Sequence, residues 1–219
     1  MTRKFKAKAI VFDLDGTLVD SARDIVAALD RLLVERGRPA VGFEAGRAMI
    51  GDGARVLIER GFAATGGPVG DIDGALKRWF QLYAADIAGH SQPYPDVRET
   101  LAALKASGIA LAVCTNKADA PSRQLLAELD LAAPFAAVVG GDVAHRKPDP
   151  RHILDTLAAL GTAPGDALMV GDSPNDAKAA QAAGVPVVLV DYGYSHIPVR
   201  ELGADAVISR FGQLLELVG

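Results

Sequence analysis

Cysteine is nearly missing from this chain. Its one thiol, Cys114, has no partner for an internal disulfide and ends the apolar run Ala110–Cys114. That placement reads as a buried core thiol in a cytoplasmic protein. Ala120 stands six residues further on, where a cysteine-nucleophile phosphatase needs arginine. Long apolar runs are missing too, since none approaches the roughly 20 residues that span a bilayer. The basic start (Arg3, Lys4, Lys6, Lys8) precedes an apolar stretch that stops at Asp13, short of the roughly 7–15 residues of a secretory signal. The net charge is -4 and no Lys/Arg cluster offers a phosphate-backbone track, which argues against nucleic acid as the main partner. No Gly-Lys pair exists, so a Walker loop is excluded. Gly51-Asp52-Gly53 begins like a dinucleotide loop, but Val56 occupies the third glycine's place. Asp71-Ile72-Asp73-Gly74 mimics half a calcium loop, but Leu76 stands where glycine is required. His145, His152 and His196 lack metal-ligand spacing, and there is no internal repeat or low-complexity tract.

What remains is an ordinary globular composition, 50% hydrophobic and 23% charged over 219 residues, enough for one domain with a smaller insertion. Short β-branched runs recur at Ala9–Phe12, Ile109–Cys114, Ala136–Val139, Ala167–Val170, Val185–Val190 and Asp205–Ile208. Between most of them lie segments of helical spacing, such as Val97, Leu101 and Leu104, or Ile153, Leu154, Leu157 and Leu160. Alternation of this kind predicts an α/β fold whose core is a doubly wound, Rossmann-like parallel sheet. Glycines 108, 161, 184 and 203 fall at helix-to-strand joins, the place for a left-handed helix terminus. From about Val19 to Pro93 the alternation stops. Ile25, Leu29, Leu32 and Leu33, then Val56 to Ile58, then Leu76, Trp79, Phe80, Leu82 and Tyr83 keep helical spacing with no convincing strand between them. The expected division is therefore a core of residues 1–18 and 94–219 with an inserted all-helical cap, 19–93, in which Trp79, Phe80 and Tyr83 serve packing.

The first predicted strand delivers Asp13 and Asp15, on alternate residues, to the point where Gly16 lets the chain turn away. Strand ends are where open α/β sheets bind ligands. Two carboxylates held that close repel by about 4 kcal/mol at 4 Å and an effective dielectric near 20. A divalent cation or a shared proton would offset this. Three further motifs fall at strand ends or neighbouring loops: Thr115-Asn116, Lys147-Pro148-Asp149-Pro150 and Gly171-Asp172-Ser173-Pro174-Asn175-Asp176. Each alone has a plainer reading. Asp15-Gly16-Thr17 makes a simple turn, Thr115-Asn116 satisfies backbone at a strand end, and Ser173 with Asp176 forms a helix capping box.

Taken in order, the four motifs resemble the haloacid dehalogenase superfamily of phosphotransferases over almost the whole chain. Val11 through Ser21, Gly140-Gly141-Asp142, Tyr192-Gly193-Tyr194 and Ile50-Gly51-Asp52-Gly53-Ala54 are similar to its bacterial phosphoglycolate phosphatases with a helical cap. The resemblance implies that Asp13 is the nucleophile and Asp15 the general acid and base. It implies that Thr115 and Asn116 hold phosphoryl oxygens and that Lys147 neutralises charge. Asp172 would ligate Mg²⁺ with Asp13 and the backbone carbonyl of Asp15, and Asp176 would orient Lys147 or a metal-bound water. Within the insertion, Gly51 would dip toward the phosphate and Arg55 would pair with a substrate carboxylate, although a solvated Arg55 is the more natural reading on a helix. The expected reaction is hydrolysis of a small phosphorylated metabolite, 2-phosphoglycolate first among them. A broad-specificity sugar or nucleotide phosphatase, a phosphomutase and a non-catalytic relative stay open. The expected setting is a cytoplasmic monomer or homodimer, away from membranes.

Overall fold

The computed structural model describes residues 4–143 and 145–219. Six parallel strands form the sheet: β1 (Ala9–Phe12), β4 (Ala110–Cys114), β5 (Ala137–Val139), β6 (Ala167–Gly171), β7 (Val187–Val190) and β8 (Ala206–Ile208), in the spatial order β5-β4-β1-β6-β7-β8. β1 lies between β4 and β6, with Val11 opposite Ala112 on one side and Met169 on the other. The chain builds outward from β1 through β4 to β5, then crosses back to lay β6 on β1's other edge. That reversal leaves a crevice at the carboxyl end of β1.

Burial on both sides explains why β1 reads as a continuous apolar run rather than an alternating one. Ile10 and Phe12 join a core cluster with Val97, Leu101 and Leu104 of α5 (Val97–Ala106), Leu125 and Leu126 of α6 (Asp119–Glu128) and Leu214 of α9 (Leu214–Leu217). Ala9 and Val11 face the opposite way, toward Ile153 and Leu157 of α7 (Pro150–Ala159) and Ala177 and Ala180 of α8 (Pro174–Ala183). The two-residue period of a strand thus sorts one short segment into two cores. Cys114 is fully buried in the second of these cores, as its apolar surroundings predict.

Glycines 108, 161, 184 and 203 all have positive φ, so the joins at helix ends were read correctly. The predicted strand bounds run one or two residues long at Ile109, Ala136, Val185 and Asp205, and β6 extends one further, to Gly171. Between β1 and α5 the chain forms α1 (Ala22–Glu35), α2 (Phe43–Arg47), α3 (Ala54–Ala64) and α4 (Ile72–Ala84), none of which contributes to the six-stranded sheet. Two features here, three elements in all, were not foreseen. One is the short α2. The other is an antiparallel pair, β2 (Val19–Asp20) with β3 (Gln92–Pro93), which binds the outgoing and returning chain together. The acidic pair once weighed as half a calcium loop is a helix start: the Asp71 carboxylate caps α4 by accepting from the Gly74 N–H at 2.9 Å.

Candidate active site

Asp13 follows β1 directly, and its N–H still donates to the Val170 carbonyl of β6 at 2.9 Å. The ladder therefore fixes the backbone that carries its carboxylate. Gly16 then turns the chain at φ +87, and a Cβ there would stand 2.5 Å from Asp172 Oδ2. Only glycine permits both the left-handed backbone and the approach of Asp172.

Lys147 is nearly inaccessible and sits between two carboxylates. Its Nζ is 3.0 Å from Asp13 Oδ1 and 2.6 Å from Asp176 Oδ1, and donates to the Cys114 carbonyl at 2.7 Å. Burial alone would strip its proton, but the charges of Asp13 and Asp176 outweigh that and raise its pKa. Asp176 meanwhile closes a capping box on α8: its Oδ2 accepts from the Ser173 N–H at 3.0 Å and the Ser173 hydroxyl at 2.6 Å. The plain helix-capping role and the ion pair with Lys147 are thus both real, one on each oxygen. Asp172 accepts from the Tyr194 N–H at 2.6 Å and from the Thr17 hydroxyl at 3.3 Å.

One ammonium does not balance these acids. Burial pushes Asp13 up to about 6, against the pull of Lys147 and with a further push from Asp176. Burial, then the charges of Asp176 and Asp13, raise Asp172 well above the carboxylate range. Single oxygens of Asp13, Asp172 and Asp176 lie within 4.8 Å of one another. The set consists of hard oxygen donors with a surplus of negative charge, and it fits a hard divalent cation. Asp176 is committed to the Lys147 ammonium and to the capping box of α8, whereas the donors on Asp172 are a neutral N–H and a hydroxyl, so Asp13 and Asp172 are the carboxylates better suited to such an ion.

Asp15 faces a different environment. Its Oδ1 accepts from the Ser21 hydroxyl at 2.5 Å, and its Oδ2 lies 3.1 Å from the Lys117 ammonium. Thr115 is buried at the end of β4, with its N–H on the Val139 carbonyl at 3.1 Å and its Oγ1 accepting from the Lys117 N–H at 3.2 Å. The Asn116 amide donates to the Lys147 carbonyl at 2.9 Å and to the Gly51 carbonyl at 3.2 Å. Asn175 also donates to Gly51, at 3.3 Å, and to Asp52 at 2.8 Å. The glycine loop read as free to dip toward the site is therefore tethered to the sheet's loops from two sides.

A cavity opens beside Asp13 and Asp15, walled by Ile25, Ile50, Leu57, Trp79 and Phe80 and by the Thr115–Ala118 loop. Gly51 and Gly53 line it, but Arg55 does not. The Arg55 guanidinium instead pairs with Asp73 at 2.6 Å on the surface, because the register of α3 turns it toward the start of α4. Trp79 and Phe80 pack with the hydrophobic core as expected, and they also stand in the cavity wall. Lys117 escaped sequence reasoning near the site, and Tyr194, singled out only within the Tyr192-Gly193-Tyr194 motif, has a role that was not foreseen. Lys117 resembles any loop lysine until Tyr83 is seen to hold it. The Tyr194 hydroxyl accepts from the Ser21 and Ala22 N–H groups at 2.8 and 3.0 Å, capping α1 from across the chain.

Comparison with known proteins bears on this arrangement. Residues 10–190 match the haloacid dehalogenase-like hydrolases. The chain belongs to that family. Phosphoglycolate phosphatase of Caulobacter vibrioides is 48% identical over 206 residues, covering 92% of this chain and 86% of that protein. The phosphoglycolate phosphatase of Agrobacterium fabrum is 44% identical over 217 residues, covering 98% and 93%. Among solved structures, a predicted phosphoglycolate phosphatase from Haemophilus somnus superposes with a TM-score of 0.91 at 32% identity, over 96% of this chain and 97% of that one. In this haloacid dehalogenase-like hydrolase, the carboxylates and the buried lysine gather past the carboxyl ends of the central strands, where the strand order reverses. No helix among the described residues is long and apolar enough to cross a membrane.

Proposed function

We propose that this hydrolase is a Mg²⁺-dependent phosphatase that cleaves a small phosphomonoester, 2-phosphoglycolate in the first instance, through an aspartyl-phosphate on Asp13. The observation that carries the reading is the convergence of Asp13, Lys147, Asp172 and Asp176 in one buried cluster, with Asp15 beside it in a separate hydrogen-bonding environment. The high identity to phosphatases named for phosphoglycolate supports the choice of substrate.

Phosphate monoesters are exceptionally inert, with accelerations approaching ~10²¹ required of some enzymes. A carboxylate nucleophile divides that barrier into two displacements. In the first, an Asp13 oxygen attacks phosphorus as the ester P–O bond breaks, and Asp15 gives a proton to the departing alkoxide. In the second, Asp15 takes a proton from water, whose oxygen attacks phosphorus and frees Asp13. Lys147 remains cationic throughout and offsets the charge of nucleophile and phosphoryl group. Thr115 and the Asn116 backbone face the phosphoryl oxygens, since the Asn116 side-chain amide already serves Gly51 and Lys147. Asp13, Asp172 and the Asp15 carbonyl would hold Mg²⁺, which would supply the charge neutralisation that lets an anion approach a dianion. Asp176 keeps Lys147 in place.

Residues 19–93 act as a cap over the core made by 1–18 and 94–219. Support comes from the β2–β3 pair at the ends of the helical segment and from the clamp of Asn116 and Asn175 on Gly51. Such a lid excludes water from the first displacement. The test is phosphate release from a panel of phosphomonoesters, with Mg²⁺ and with chelator. The reading expects 2-phosphoglycolate to be cleaved best and only with metal; folded protein that releases phosphate from none of them would refute it.

A further inference from the structure

A leaving group that ends in a carboxylate needs a cation in the cavity beside Asp15. Arg55 is paired elsewhere, and among the described residues lining that cavity only Lys117 carries positive charge. Its side chain is 7% exposed, so its ammonium meets little competing water. Besides Asp15, its partner is the Tyr83 hydroxyl of α4, to which it donates at 2.7 Å while lying 4.5 Å from that ring's centre. Burial and the nearby carboxylates hold the Tyr83 phenol well above its usual range, so it stays neutral and anchors the ammonium without adding charge. Trp79 stacks on Tyr83 at 4.9 Å and lines the same cavity. The Trp79 indole N–H is buried with no acceptor. An unpartnered buried donor is costly, by roughly 1–3 kcal/mol, and calls for a partner.

We infer that the Lys117 ammonium and the Trp79 indole N–H form the subsite that takes the anionic end of the leaving group, and so select esters of hydroxycarboxylic acids over esters of neutral alcohols. The inference rests on the phosphatase reading above. A carboxylate oxygen entering beside Asp15 fills the orphaned indole bond and shares the ammonium. The surrounding apolar walls (Ile25, Leu57, Phe80) strengthen that attraction by excluding water. A neutral hydroxyl in the same place gains one weak hydrogen bond and leaves Lys117 with Asp15.

The test compares two esters with the same two-carbon backbone, 2-phosphoglycolate and 2-hydroxyethyl phosphate, with the Mg²⁺-loaded enzyme and the variants Lys117→Met, Lys117→Arg and Trp79→Phe. Because Lys117 also touches Asp15, the readout is the ratio of kcat/KM between the two esters rather than either rate. The ratio is expected to fall at least about tenfold in Lys117→Met, the scale of one charge-assisted hydrogen bond. Trp79→Phe keeps the stacked ring and is expected to lower the ratio through KM, and Lys117→Arg to restore part of it. A ratio unchanged in both Lys117→Met and Trp79→Phe overturns the subsite while leaving the phosphatase intact. Wild-type enzyme that hydrolyses neither ester overturns both.

Discussion

Lys147 is the kind of side chain a protein interior tolerates only with partners, and its two carboxylates and one carbonyl supply them. Removing an ion from such a cluster leaves the others uncompensated, which costs more than the pair contributes. Asp13, Asp15 and Lys147 were legible because four motifs recur together and in order at predicted strand ends and loops; each alone is ordinary there. Lys117 was not, because its meaning depends on Tyr83, 34 positions away. Arg55 misled for the opposite reason: proximity in sequence to Gly51 and Gly53 suggested a role that the register of α3 withholds. His152 belongs to this scale as well. Burial first, and then the charge of Lys147, lower its pKa from 6.5 to about 4. The unfolded chain therefore takes up a proton below about pH 6.5 that the folded protein refuses, so this group's contribution to stability is lost as pH falls from 6.5 toward 4. Urea unfolding at pH 7 and pH 5 checks it. Wild type is expected to lose about 2 kcal/mol more than His152→Asn over that interval, and equal losses would count against a neutral buried imidazole.

Among the elements, long segments with strong periodicity were read well, and short ones were not. The strands of the sheet and the helices α1, α3, α4, α5, α6 and α7 carry their pattern in their own residues. The β2 and β3 strands are two residues each, too short to show any period, and they form because the chain must leave and return at one place. The start of α1 has no side-chain cap of its own. Its first N–H groups depend instead on Tyr194, 172 and 173 positions later in the chain, which no local signal reveals. Replacing Tyr194 by Phe removes that acceptor from two buried donors at a cost of roughly 1–3 kcal/mol. For a chain of this size the melting temperature is then expected to fall by about 2–12 °C. Calorimetry that shows no shift would mean that the phenol is not what caps α1.

At the scale of the whole molecule, the parallel sheet and the helical segment meet over the carboxyl end of β1. Strand order alone places a crevice there, and the hydrogen bonds to Gly51 bring the inserted segment down onto it. This geometry assigns the parts different tasks. The sheet holds Asp13, Lys147 and Asp172 rigid, and the helices supply the apolar walls and Trp79 around whatever leaves. The central claim is that Asp13 carries the phosphoryl group in transit. Rapid acid quenching of wild-type enzyme during turnover of 2-phosphoglycolate with Mg²⁺, followed by peptide mass spectrometry, tests it directly. The account predicts one phosphoryl group on the peptide containing Asp13, removable by hydroxylamine and absent in Asp13→Asn, which should also lose turnover. Sustained turnover with that peptide unmodified, or by Asp13→Asn itself, would contradict it.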